Sequence, residues 1–206
     1  MHRNMLTDIT TLLPQATKTQ NGSLPKQQCE LPSDLCEVRD KFPTKERFLV
    51  AYSPDIQTAC AAHPDKSFFG KAPTLSGLNT AYGQQMAESW LTPQLYDLAA
   101  FCGAKEKLDE RQLTQTAKMI AVEYPYLKVS ELLLFFHRMK NGNYGNFYGA
   151  VDPMKILSAL RTFVKNDRTN AIMMRESKEQ ERRYAEWKTR AVTREQYLAM
   201  KQAGEI

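Results

Sequence analysis

The sequence predicts an all-α protein: a compact multi-helix domain with a flexible N-terminal arm and a long charged C-terminal helix. Three observations carry that expectation. Leu113, Ala117, Ile120 and Tyr124 recur at i, i+4, i+7 and i+11, the spacing of one helix face. Proline follows a capping residue in Ser53-Pro54 and Asp152-Pro153, the usual opening of a helix, whereas no run alternates with period two for long enough to make a strand. The 206 residues are 42% apolar and 25% charged, with nine glycines and ten prolines, which excludes a wholly disordered or collagen-like chain.

The elements follow in order. Residues 1–43 hold Pro14, Pro25, Pro32 and Pro43 and the polar run QATKTQNGSLPKQQ, too little apolar surface to offset backbone ordering, so this stretch reads as a flexible arm. Met5, Ile9, Leu12 and Leu13 within it fall at helical spacing, but such a helix is shorter than the roughly 12–15 residues that an isolated helix needs in water. Residues 44–167 form the helical domain. Ser53-Pro54-Asp55 opens a helix that stops before His63-Pro64, and a loop containing Gly70 and Pro73 follows. Residues 75–90 are helical, weakened by Gly77 and Gly83, and Thr92-Pro93 caps the next helix, which ends at Gly103.

Leu108–Tyr124 is helical and Pro125 terminates it. Ser130 and Glu131 begin a helix dominated by Leu132, Leu133, Leu134, Phe135, Phe136 and Met139; apolar almost all round, it is the expected central buried helix. Asn141-Gly142 ends it, and Asp152-Pro153 opens a helix with Ile156, Leu157, Leu160, Phe163 and Val164 inward. The pattern continues to about residue 190, so residues 168–206 read as a charged helical extension, with Thr193 capping a last short helix through Met200.

The cysteines Cys29, Cys36, Cys60 and Cys102 are irregularly spaced, and the N-terminal residues lack the apolar core of a secretory signal. With no stretch approaching about 18 consecutive apolar residues, the expectation is a cytoplasmic chain with reduced thiols and no membrane contact. Cys60 and His63 stand one helical turn apart, but the cysteines do not form the two close pairs of a structural zinc site, so they read as small hydrophobes and no metal or cofactor is expected.

The net charge of +5 is unevenly distributed. Residues 1–104 carry nine basic and ten acidic groups, and residues 105–206 carry nineteen and thirteen, so a nucleic-acid contact belongs in the second half. Two features there are candidates. The segment Asn141–Gly149 packs three glycines, three aromatics and three asparagines between two helices. Asn143, Tyr144, Phe147 and Tyr148 suit base stacking and edge contacts, with Arg138, Lys140 and Lys155 on the flanking helix ends for phosphates. The alternative is a structural loop whose aromatics fold back on the Leu132–Met139 helix. Arg161, Arg168, Arg175 and Arg182 recur every seven residues, a slowly drifting stripe flanked by Lys165 and Lys178 that suits a phosphate backbone. The alternative is a solvated helix with internal pairs such as Glu179–Arg183 and Glu186–Arg190. Tyr184, Trp187 and Ala191 form a short apolar strip suited to a protein partner's groove or to dimerisation, the alternative being a strip that folds back on the body.

Catalytic chemistry has little support. His137 lies inside the buried helix, His63 precedes a proline, and Gly70-Lys71 lacks the upstream glycine and hydroxyl of a phosphate loop, so no enzyme and no catalytic residue is expected.

The stretch from Leu108 to Arg168, above all AKMIAVEYPYLKVSELLLFFHRMKNGNYGNFYGAVDPMKILSALRTF, resembles uncharacterised helical proteins of bacterial prophages and conjugative elements. Its helix, Gly-Tyr-Gly turn and helix are more loosely similar to phage replication proteins of the helicase-loader kind. Because the charge excess, the aromatic loop and the arginine stripe all fall in one half, the expectation is a non-enzymatic accessory of mobile-element DNA transactions, a replication or helicase-loading adaptor that contacts DNA through the basic C-terminal half and a protein through the terminal helix. The alternative is a protein-interaction adaptor or structural protein without nucleic-acid binding.

Overall fold

The structure, a computed structural model, describes residues 31–103, 108–147, 151–191 and 193–204. Among them it is helical throughout: α1 (Ser33–Lys41), α2 (Lys45–Ala51), a 3-10 turn (Pro54–Ile56) running into α3 (Gln57–Ala62), α4 (Pro64–Phe69), α5 (Leu75–Tyr82), α6 (Met86–Phe101), α7 (Glu110–Glu123), α8 (Val129–Lys140), α9 (Pro153–Thr162), a π-helical turn (Phe163–Arg168), α10 (Thr169–Arg190) and α11 (Arg194–Gln202). The described residues contain no strand; one antiparallel bridge pairs Thr74 with Lys128.

Helix α8 is the centre, as its composition implies: Val129 to Phe136 are buried, and α3, α4 and α6 pack around it. Its N-terminus is tied down three ways. Glu131 accepts the Lys128 backbone N–H at 2.8 Å, Ser130 Oγ donates to Ser67 O at 2.7 Å, and Lys128 Nζ donates to the carbonyls of Phe68 and Gly70 at the end of α4. One helix start thereby satisfies another helix's terminal carbonyls. Helix α6 lies against α5 and α7, and α7 against α9.

Three expectations need correction. The arm expected through residue 43 ends earlier, because Ser33–Lys41 is helix α1: Val38 is buried and Phe42 packs edge-on to Phe48. Gly77 explains the docking, since a Cβ there would stand 3.0 Å from Leu35 Cδ2; the glycine makes room for α1 on α5. Residues 1–30 lie outside the described residues. Secondly, Thr92-Pro93 opens no helix. Helix α6 runs through Pro93, with Trp90, Leu91, Gln94 and Leu95 buried on either side, and Thr92 Oγ1 donates back to Glu88 O at 2.9 Å. Burial of this apolar face outweighs the hydrogen bond that proline cannot make. The break falls instead at Gly83, whose φ of 101° only glycine adopts readily. Thirdly, the stretch after His63 starts as helix α4, with Pro64 at its first position.

From Pro153 to Arg190 the backbone stays right-handed helical, so α9, the π turn and α10 form one rod. Its first part is anchored by Phe163, fully buried between Phe68 and Phe135 with ring centroids 5.9 and 5.6 Å away. A π turn holds about 4.4 residues rather than the 3.6 of an α turn, which sets Phe163, Asp167 and Arg168 on one inward face. Helix α10 buries no residue along its 22-residue length, matching the expected charged extension.

Candidate functional site

The π turn organises the polar chemistry of the second half of the chain. Asp167 meets Arg138 of α8, Oδ1 to Nη1, at 3.2 Å, and its other oxygen accepts the Tyr144 hydroxyl. The next residue, Arg168, donates through Nε to Glu131 at 2.9 Å and lies over the Tyr126 ring. Glu131 keeps 2% of its side chain exposed and Arg168 29%, so a nearly buried carboxylate is held by one guanidinium and one backbone N–H.

These contacts place the expected site residues. Tyr144 is half-buried with its ring 5.7 Å from Phe135, so it folds back on α8. Phe147 packs against the core beneath Lys155 Nζ, which also donates to Asn146 O. Asn143 is exposed; its backbone N–H donates to Arg138 O. Lys140 pairs with Asp97 and lies over Phe101. Tyr148 lies outside the described residues. For the loop aromatics that are described, both Tyr144 and Phe147 are partly buried and take part in packing.

The arginine stripe separates into different surroundings. Arg161 and Lys165 are exposed, Arg168 turns inward, and Arg182 pairs with Glu179 and Glu186 along its own helix. Arg175 instead stacks its guanidinium 4.3 Å from the Phe69 ring centre. There it lines a cleft of about 650 Å³ between α4 and the start of α10. Lys66, Arg175 and Lys178 line it with Arg138; Phe68, Phe69 and Met174 supply apolar surface; Asp65 and Asp167 are the opposing acids. Of this constellation the sequence points to Arg138, Arg175 and Lys178. It misses Lys66 and Phe69, which sit where a loop is expected, and Asp167, whose spacing of four from Phe163 is its available signal.

Tyr144 gives a direct test of the network. Burial, followed by its hydrogen bond to Asp167, holds the phenol well above the ordinary tyrosine pKa. The folded state thus favours the neutral hydroxyl: the stability it contributes is whole below the unfolded value near pH 10 and is lost as pH rises above that. Tyr144→Phe, which keeps the ring on Phe135, is expected to cost about 1 kcal/mol at neutral pH. Its stability, followed by denaturant titration, is expected to fall less steeply above pH 10 than that of the unsubstituted chain. Some slope remains, because burial also raises Tyr52, Tyr82 and Tyr124.

Among the described residues no group of three or more His, Cys, Asp and Glu side chains is placed to hold a metal ion. Burial raises the Cys60 and Cys102 thiols above their ordinary range, the reverse of a reactive thiolate. His137 Nδ1 lies 3.2 Å from the Asn141 amide, so it is a partnered histidine near the core. No helix among the described residues is long and apolar enough to cross a membrane.

No curated protein and no solved structure matches this chain. Residues 108–205, from just before α7 through α11, match the model of a family of unknown function (DUF6633), a span that contains the whole Arg138–Tyr144–Asp167 and Glu131–Arg168 network but not the α4 wall of the cleft.

Proposed function

We propose that this chain is a non-enzymatic nucleic-acid-binding accessory of mobile-element DNA transactions, acting as a replication or helicase-loading adaptor, with the α4–α10 cleft as its nucleic-acid contact. The observation that carries the reading is the convergence of Lys66, Arg138, Arg175 and Lys178 on one apolar-lined cleft, against two carboxylates. Cations spread along such a groove suit a phosphate backbone, and the apolar surface between them suits bases. Arg161 and Lys165 are exposed elsewhere on the same rod. The resemblance of residues 108–168 to prophage and conjugative-element proteins supports the mobile-element setting.

Fluorescence anisotropy with single- and double-stranded oligonucleotides at two salt concentrations tests the proposal. Lys66→Ala/Arg175→Ala/Lys178→Ala is expected to weaken binding by about tenfold or more at low salt and to flatten the salt dependence, since up to three phosphate contacts are lost. Unchanged affinity in this variant overturns the surface, and no binding by the unsubstituted chain overturns the function.

A second reading, protein contact through the terminal helices, is favoured by one observation: Met173, Tyr184 and Trp187 are each more than 60% exposed on α10.

A further inference from the structure

Helix α10 has two faces. Ala171, Arg175 and Lys178 turn toward the body, where Ala171 packs on the core and Arg175 on Phe69. About 200° round the helix from Ala171 and Arg175 stand Met173 and Ser177. They begin a row continuing through Gln180, Tyr184 and Trp187 to Ala191 at the helix end, all of it exposed. The steps are four, three, four, three and four residues, the spacing of a coiled-coil seam.

We propose that this outer face is the interface of a homodimer in which α10 packs antiparallel against α10 of a second copy. The inference takes up the protein-contact reading of the terminal helix and names the partner. It is independent of the cleft, which faces the other way.

Size and charge select this occupant and orientation. In the antiparallel register that uses the whole seam, Met173 faces Ala191, Ser177 faces Trp187, and Gln180 faces Tyr184 of the other copy. Each large side chain meets a smaller one, and the Gln180 amide meets the Tyr184 hydroxyl. A parallel pair instead sets Trp187 on Trp187 and Tyr184 on Tyr184, with Ser177 on Ser177 between gaps. The flanking charges agree. Antiparallel packing brings Glu176 beside Arg190 twice by symmetry, with two like-charge contacts at the dyad, where Glu181 and Arg183 each face their own copy. Arg183 is already engaged there by Glu179 at 3.1 Å. Parallel packing sets Glu176 against Glu181 and Arg183 against Lys188, each twice, which is repulsive throughout. The seam is self-complementary in one orientation, which is what an isologous contact requires.

Equilibrium sedimentation of the full chain across the micromolar range reads the association. The expected mass rises from 23.6 kDa toward twice that value, and Tyr184→Ser/Trp187→Ser stays monomeric with an unchanged melting temperature. Because Trp90 is fully buried in the protomer, a concentration-dependent blue shift of tryptophan emission reports Trp187. Glu176→Arg and Arg190→Glu are each expected to weaken the dimer about tenfold, and the double variant to restore it. Tightening by Glu176→Arg overturns the antiparallel order, because in a parallel pair the introduced guanidinium would stand beside Glu181. A monomeric wild type overturns the dimer. A benzophenone amino acid at position 180, photolysed in cells, separates the two levels: an adduct of twice the chain mass supports the dimer. An adduct of another mass overturns the dimer while the protein-contact reading stands, and no adduct of any mass overturns both.

Discussion

Trp90→Ala is expected to lower the stability of this protein by about 3–5 kcal/mol, a substantial share of the roughly 5–15 kcal/mol that folded domains possess. Trp90 is fully buried in α6, and its indole Nε1 donates to Tyr52 O at 2.8 Å. The substitution removes the ring's apolar transfer energy, leaves a cavity between α6 and the α2–α3 segment, and costs that carbonyl its shorter hydrogen bond. Gln94 also donates to Tyr52 O, at 3.1 Å, so the carbonyl is not left wholly unpaired. Trp90→Phe, which keeps most of the volume, is therefore expected to cost clearly less. Urea titration checks both: the midpoint falls in that order with an unchanged slope, and a midpoint for Trp90→Ala close to that of the unsubstituted chain would show that α6 can collapse into the space.

Arg168→Ala is expected to cost about 3 kcal/mol, as a surface phosphate-binding residue would not. The loss comes from the partner left behind. Glu131, with 2% of its side chain exposed, would keep its charge inside the fold with the Lys128 N–H as its sole remaining hydrogen-bond donor among those seen. The double variant Glu131→Gln/Arg168→Met, which removes both charges and retains volume, is expected to recover most of that loss, giving a coupling energy of about 2 kcal/mol in a double-mutant cycle. Additive costs would mean that the pair is not coupled. The same cycle separates fold from function at Arg168: oligonucleotide binding by the well-folded double variant should match that of the unsubstituted chain if the cleft is the contact.

What is legible in the sequence follows from how local the responsible physics is. Helix α8 is readable because its burial is written in consecutive leucines and phenylalanines, and α7 and α9 because their apolar spacing and Pro125 or Asp152-Pro153 mark their limits. Helix α1 is hidden because its helicity depends on Leu35 meeting the bare backbone of Gly77, some forty residues away. Pro93 misleads because a capping signal is local, whereas the packing of Trp90 and Leu95 that overrides it is not. The candidate site divides in the same way. The basic excess, the loop and the arginine heptads are all visible, but Tyr144 bonds Asp167 and Arg168 bonds Glu131, 23 and 37 residues away, and neither distance is written in a spacing rule. Arg175 and Lys178 belong to the stripe or stand beside it; their partner Lys66 lies over a hundred positions earlier.

The wide turn at Phe163–Arg168 acts as a crankshaft. Helix α10 follows it without a break, so the azimuth of Arg175 on Phe69 and of Trp187 toward solvent is set by how widely that single turn is wound. Rewinding the same six residues to α geometry would swing the whole of α10 by about 100° about its axis. The basic cleft would then lose Arg175 and the outer row would face sideways, with no contact in α10 itself altered. Two surfaces on opposite sides of a helix thus share one determinant, located in neither.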